Sequence, residues 1–292
     1  MRTVIFKGFA DQLLTAARIS PTALYTGHVW QAHERSVPEL ESWPARCLHT
    51  GLAPAMAMSR KLGGPTLEDF LLARHDLIDL HLTKAIESGA ATQVLEIAAG
   101  LSPRGCRFVQ KYGDDITYIE ADLPGMVAQK RKRLQQRLGV CPNHRVEIID
   151  AFAHEGPHSL QALAGSLDPD RGLVVITEGL LNYFDKQAVL GLWQRLGQVL
   201  SGFSHGMYLS DLHLSAHNND PVARAFAAAL GVFVRGRVHL HFEQPGEVVT
   251  AMQARGLACE VQNPHAFADE LPSCAATGAS LVRILHASAM HY

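Results

Sequence analysis

Two carboxylates set at informative distances from a turn of small residues carry the first chemical signal in this chain. Residues 93–107 read QVLEIAAGLSPRGCR, an apolar run through Val94, Leu95 and Ile97 that enters Ala98-Ala99-Gly100. Such a turn lets backbone amides come close to a ligand. A second apolar run, residues 116–122, ends on Asp122, 22 residues beyond Gly100. That is close to the roughly 20-residue interval at which a nucleotide-binding α/β unit sets a carboxylate against ribose hydroxyls, so the spacing predicts a ribose-containing cofactor. The competing role for Asp122 is an ordinary helix N-cap ahead of Leu123-Pro124.

What the turn lacks narrows the cofactor. A dinucleotide site wants G-x-G-x-x-G, but only Gly100 and Gly105 are glycines here, and no Walker-type Lys-Ser/Thr follows. Glu96, inside the first strand, would repel a phosphate and suits a cationic or amino group. S-adenosylmethionine offers both a sulfonium and an amine. Glu178 closes another apolar run, residues 173–177, just before Gly179, where a buried carboxylate needs a partner: a ligand, or a salt bridge within the fold. Tyr183 follows in the same strand-to-helix loop, placed either to touch substrate or to pack.

His213 and His217 are four apart and His239 and His241 two apart, yet no ligand-type carboxylate stands beside them and H-E-x-x-H is absent. They read as substrate-facing or surface groups, and no metal is expected. Cys47, Cys106, Cys141, Cys259 and Cys274 form neither C-x-x-C spacing nor a disulfide framework. Cys106, with no base beside it, reads as helix packing.

At 292 residues and 47% apolar content the chain can bury one large α/β core. Its net charge of −2 supplies no global field to recruit nucleic acid or an anionic membrane, so neither partner is expected. The basic run Lys130-Arg131-Lys132-Arg133 reads as a solvated helix face. No stretch reaches the ~18 continuous apolar residues of a membrane span, and a cytoplasmic location is expected.

From residue 93 onward strands and helices alternate. Strands are predicted at 93–98, 116–122, 145–150, 172–178, 206–212, 258–262 and 280–288, and helices at 103–112, 124–138, 157–165, 185–201 and 245–255. This implies an α/β fold, a doubly wound seven-stranded, mostly parallel sheet with an antiparallel last strand. Residues 1–90 are expected to form an N-terminal helical cap after an opening strand at 3–6, its helices broken by Pro21, Pro38, Pro44, Pro54 and Pro65. One helix there opens at Thr66 with Glu68 and Asp69 in its first turn and ends at Gly89. Residues 91–292 make the cofactor domain, with an insertion at 213–243 carrying an alanine-rich helix at 221–230.

LEIAAGLSPRGCRF, YIEADLPGMVAQKRKRL and VVITEGLLNYFDKQAV, with LLARHDLIDLHL upstream, stand in the order and spacing of the leucine carboxyl methyltransferase-like family. Residues 70–200 resemble that family, which includes bacterial O-methyltransferases associated with polyketide biosynthesis. The resemblance implies a Rossmann-like class I fold and S-adenosylmethionine as cofactor. It assigns Arg74 to the cofactor carboxylate, Gly100 to close backbone approach, Asp122 to the ribose, Asp150 and Ala151 to the flanks of the adenine, and Glu178 to the methionine amine. This chain departs from the pattern at Ala98, where the family's first turn usually has glycine, and at Ser102-Pro103, where Asp-Thr is common.

The function so implied is S-adenosylmethionine-dependent O-methyl transfer to a carboxylate or hydroxyl of a small molecule; the alternative is a non-catalytic S-adenosylmethionine-binding module. A carboxylate acceptor needs no base at neutral pH, whereas a hydroxyl is helped by one, for which His213, His217 and His239 are the candidates. The cap, through Tyr25, Trp30 and Trp43, and the 213–243 insertion are expected to set acceptor specificity.

Overall fold

The computed structural model describes residues 21–41, 43–215 and 238–290. The strand expected at 3–6, the helix expected at 221–230 and His217 lie outside the described residues, as does the side chain of Trp43.

Seven strands form one sheet: β1 (Gln93–Ile97), β2 (Thr117–Asp122), β3 (His144–Ile148), β4 (Leu173–Thr177), β5 (Gly206–Leu212), β6 (Leu257–Gln262) and β7 (Arg283–Ala289). Their order is β3-β2-β1-β4-β5-β7-β6. β1 to β5 run parallel, while β7 pairs antiparallel with both β5 and β6. The doubly wound sheet with an antiparallel last strand is therefore as the alternation predicted. Its order reverses between β1 and β4, which opens a crevice beyond their carboxyl ends.

The central strands β1 and β4 are buried along their whole length. Both faces are covered, which is why these strands are continuous apolar runs rather than alternating ones. Leu95, Ile97, Leu173 and Val175 pack toward Leu192, Trp193 and Leu196 of α8 (Lys186–Leu200). Val94, Val174 and Ile176 pack on the opposite face with Leu77, Ile78 and Leu82 of α3 (Leu67–Glu87) and Phe108 of α4 (Arg104–Tyr112).

α3 starts where the sequence placed it. The Thr66 hydroxyl accepts from the Asp69 amide at 3.3 Å and the Asp69 carboxylate accepts from the Thr66 amide at 2.8 Å, a closed capping box. α1 (Pro21–Ala32) packs on α3 through Tyr25 and Val29 against Leu67, Phe70 and Leu71. α2 (Trp43–Lys61) lies against α1, and Pro54 is inside it rather than at a break.

Two further expectations are corrected. The helix expected over 124–138 is two, α5 (Pro124–Arg133) and α6 (Gln135–Val140), divided at Leu134. Lys130 is not on a solvated face: it is buried and its Nζ donates to Glu120 Oε1 at 2.7 Å, because a carboxylate inside β2 requires a cation. His144 closes the same group at 3.0 Å from Glu120 Oε2. α4 approaches them so closely that a Cβ on Gly105 would fall 2.7 Å from His144 Nε2, which accounts for the second glycine of the turn motif.

Ala98 and Gly100 both take positive φ, +55° and +51°. A left-handed conformation costs an L-residue with a Cβ roughly 1–2 kcal/mol. Ala98→Gly should therefore raise the unfolding free energy by about 1 kcal/mol, read as a higher urea midpoint at unchanged m-value.

Candidate functional site

A cavity of about 640 Å³ opens at the carboxyl edge of the sheet, a size typical of small-molecule sites. Strand ends build its floor: Ala98 and Gly100 after β1, Asp122 closing β2, Asp150 and Ala151 after β3, Glu178 after β4 and Asp211 late in β5. Trp30 of α1 and Phe70 and Arg74 of α3 form one wall, and Tyr183 and His213 face them from the loops after β4 and β5. Arg74, Glu96, Ala98, Gly100, Asp122, Asp150, Ala151, Glu178, Tyr183 and His213 thus come together, although they span much of the chain. Tyr25 packs beneath α3, and His239 and His241, whose rings stack with centroids 6.0 Å apart, are not among the lining residues.

Asp122 is fixed by backbone. Its Oδ2 accepts from the Gly100 amide and its Oδ1 from the Leu123 amide, each at 2.7 Å. Burial nevertheless pushes its carboxyl above the ordinary aspartate value, with those two amides acting the other way. The N-cap alternative is not what its side chain does, since the helix that follows has no side-chain cap bond. Asp150 is held by its own turn, Oδ1 accepting from the Phe152 amide at 3.0 Å. Arg195 Nη2 donates to the Ala151 carbonyl at 3.2 Å, and the rings of Phe152 and Phe184 meet at 4.1 Å.

Behind the cavity lies a buried ionic network centred on Arg104, which has no exposed surface. Its Nε donates to Asp79 Oδ1 at 2.5 Å, its Nη1 to Glu96 Oε1 at 2.5 Å and its Nη2 to Glu178 Oε2 at 2.6 Å. Tyr118 Oη donates to the other oxygen of Glu96 at 2.8 Å. Arg74 completes the ring: Nε donates to Glu178 Oε1 at 3.0 Å and Nη1 to Asp211 Oδ2 at 3.2 Å. His75 Nδ1 lies 3.0 Å from Glu178 Oε2 and 2.8 Å from Arg104 Nη2, so it either donates to the carboxylate or accepts from the guanidinium. Burial would raise the Glu178 carboxyl, but His75, Arg104 and Arg74 hold it well below the usual carboxylate range. Asp79 is likewise lowered against its burial, by His75, Arg104 and Arg107.

Gly179, at φ +67°, leaves room for this arrangement, since a Cβ there would be 3.0 Å from Arg74 Nη2. Its amide donates to Asp211 Oδ1 at 2.6 Å. Glu96 lines the cavity with its oxygens engaged by Arg104 and Tyr118, and the carboxylates bonded to Arg74 are Glu178 and Asp211.

His213 has a defined tautomer. Its Nδ1 is 2.7 Å from the Leu281 carbonyl, which can only accept, so Nδ1 carries the proton and Nε2 the lone pair. Burial lowers its pKa, with Asp211 and the Leu281 contact opposing. Cys106 is buried and its thiol is pushed up to about 12, chiefly by burial, so it packs as expected. Among the described residues no cluster of histidine, cysteine and carboxylate side chains could hold a metal ion, and no helix is long and apolar enough to cross a membrane.

Asp211, Arg104, His75 and Asp79 were not anticipated from the sequence. The signal was available for three of them: Asp211 interrupts the apolar run YLSDLHL, and His75 and Asp79 share the helix side of Leu71 and Ile78. A charge on an apolar face needs a buried partner.

The sequence pattern of the leucine carboxyl methyltransferase family matches residues 9–197. A Mycobacterium leprae protein described as a candidate S-adenosyl-L-methionine-dependent methyltransferase is 32% identical over 108 residues, 37% of this chain and 34% of that relative, so the match spans about a third of its length. A candidate methyltransferase from Thermobifida fusca has the same fold, with a TM-score of 0.60 at 13% identity over 94% of this chain and 96% of that one. The carbon methyltransferase CurJ aligns with a TM-score of 0.51 at 11% identity over 82% of this chain and 58% of that chain.

Arg104→Met removes the charge but keeps the length, and leaves three buried carboxylates without their common partner. The loss should be about 3–5 kcal/mol at neutral pH, measured by urea denaturation. Because Glu178 and Asp79 are depressed in the folded chain, the unfolded chain binds more protons in acid. Their contribution is complete above the unfolded carboxylate pKa of about 4 and is lost as pH falls through the folded values. The gap between wild type and Arg104→Met should therefore shrink on acidification below about pH 4.

Proposed function

The chain belongs to the leucine carboxyl methyltransferase family, and from that premise we propose that it is an S-adenosylmethionine-dependent methyltransferase acting on an oxygen of a small molecule. The observation that carries this is the pinned Asp122 carboxylate in one cavity with Arg74 and Glu178. Two oxygens fixed by amides retain lone pairs for two ribose hydroxyls. The Arg74 guanidinium, with five donors, can pair with a ligand carboxylate while still held by Glu178 and Asp211. Glu178, kept ionised by its three cationic or donor neighbours, suits the amine of a methionine moiety. Asp150 and Ala151 stand at the far end of the same floor, where an adenine would lie between them and Gly100. These donors and acceptors fit S-adenosylmethionine, whose sulfonium supplies an activated methyl group.

Given that activation, the protein's share is positioning and exclusion of water. Trp30, Phe70 and Leu71 make the α1–α3 wall apolar, and Tyr183 stands at the more exposed rim. An acceptor held there is brought to its partner as an intramolecular reactant, which is where most of the rate advantage of such a transfer arises.

Calorimetry should detect binding of S-adenosylhomocysteine, undiminished by a chelator. Asp122→Ala should weaken it by about 1–3 kcal/mol, the cost of leaving buried hydrogen-bond partners unpaired. Arg74→Lys should weaken it too, since an ammonium cannot reproduce a two-pronged fork. Equal affinities for wild type and folded variants would remove these residues from the cofactor site.

A further inference from the structure

The acceptor end of the cavity has an electrostatic character that separates the two oxygen acceptors. Among the described residues lining the whole cavity, Arg74 is the one cation; apart from Asp122 and Asp150 at the ribose and adenine end, the carboxylates Glu96, Glu178 and Asp211 lie in the lining with it. Arg74 is already paired with Glu178 and Asp211. With the remaining Arg74 donors taken by the cofactor carboxylate, an anionic acceptor would enter a low-dielectric cavity of negative lining with no protein cation left to meet it, only the cofactor's own sulfonium. The unpartnered donor on this wall is neutral: the indole N–H of Trp30 is buried without a hydrogen bond, and such a donor suits a neutral oxygen as readily as an anion.

A neutral hydroxyl brings a proton that must leave, and the cavity holds a group able to take it. His213 lines it, with Nδ1 committed to the Leu281 carbonyl at 2.7 Å and Nε2 left as an acceptor. Asn182 fixes the backbone on which His213 stands: its side-chain oxygen accepts from the His213 amide at 3.0 Å and its amide donates to the His239 carbonyl at 2.6 Å. Phe70 packs edge-on against the imidazole, centroids 5.5 Å apart. The charged groups facing His213 are Asp211 from β5, Arg74 from α3 and Arg283 from β7. Burial outweighs Asp211 and keeps the ring neutral at the pH where a base is needed.

We propose that the acceptor is a neutral, largely apolar hydroxyl compound rather than a carboxylic acid, and that His213 is its general base. This rests on the methyl-transfer reading above. His213 Nε2 takes the hydroxyl proton while an oxygen lone pair forms the new O–C bond in place of the methyl–sulfur bond, whose electron pair stays on sulfur. The imidazolium then returns its proton to solvent.

The test uses the full chain with methyl-labelled S-adenosylmethionine and two matched probe pairs, 2-naphthol with 2-naphthoic acid and 4-propylphenol with 4-propylbenzoic acid, at neutral pH. The expected product is labelled ether, stable to mild alkali, and on the S-adenosylhomocysteine complex the hydroxyl member of a pair should bind about tenfold or more tightly than its acid. Label in the acid, released as methanol by alkali, overturns the proposal, as does failure to methylate either hydroxyl probe by a chain that binds the cofactor. Loss of cofactor binding itself would instead overturn the underlying reading. His213→Gln should lower transfer by about 10²–10⁴-fold at neutral pH, with S-adenosylhomocysteine affinity unchanged, and should recover as pH rises toward the acceptor's own pKa. A loss that alkali does not restore makes His213 a packing residue. Nitrogen NMR of the wild-type S-adenosylhomocysteine complex gives a readout free of turnover: an unprotonated Nε2 at neutral pH is expected, and a protonated one contradicts the assignment.

Discussion

One buried guanidinium organises this molecule. Arg104 joins Asp79 of α3, Glu96 of β1 and Glu178 beyond β4, three segments far apart in sequence, through charge-assisted bonds of 2.5–2.6 Å. A cation without exposed surface is tolerated only where several acceptors replace its water. Those bonds tie α3 to β1 and to the loop after β4, and Arg74 joins Glu178 and Asp211 as the rim of the same network. The cavity thus borders an ionic core on one side, and three of its lining carboxylates, Glu96, Glu178 and Asp211, belong to the network that holds the fold together.

That boundary explains why a cofactor with a cationic centre and an amphoteric end suits this edge better than a phosphate. The first turn contributes shape rather than bare amides. Ala98 adopts φ +55° despite its methyl group, and the Gly100 amide is already bonded to Asp122. A pyrophosphate would find no row of open N–H groups here, whereas Asp122 and Glu178 present fixed negative charge. The small-residue turn and the carboxylates are two sides of one specificity.

Much of the fold was legible because its signals are local. Strand positions followed from apolar runs ending in Gly100, Asp122, Asp150 and Glu178, and α3 from the Thr66–Asp69 box, since propensity, caps and burial agree at those points. Arg74, Glu96, Ala98, Gly100, Asp122, Asp150, Ala151, Glu178, Tyr183 and His213 do line one cavity, whereas His239 is not in its lining. What escaped was pairing over long separations. Lys130 looked solvated within a four-residue basic run, and only the position of Glu120 on a neighbouring strand shows why one of the four is buried. Arg104 was likewise inconspicuous, since nothing next to it in sequence announces Asp79 or Glu178. The break at Leu134 follows the same logic: a residue buried at zero exposure interrupts a helix whose composition is otherwise continuous.

Backbone amides hold Asp122 at one end of the cavity and the ionic core holds the Arg74–Glu178 pair at the other, and the proposed function requires both to meet a single S-adenosylmethionine-type ligand. A crystal structure with S-adenosylhomocysteine bound measures this most directly. The account predicts ribose hydroxyls within hydrogen-bond distance of the Asp122 carboxylate and the amino-acid end against Arg74 and Glu178. A ligand bound elsewhere, or one whose ribose lies away from Asp122, would contradict it.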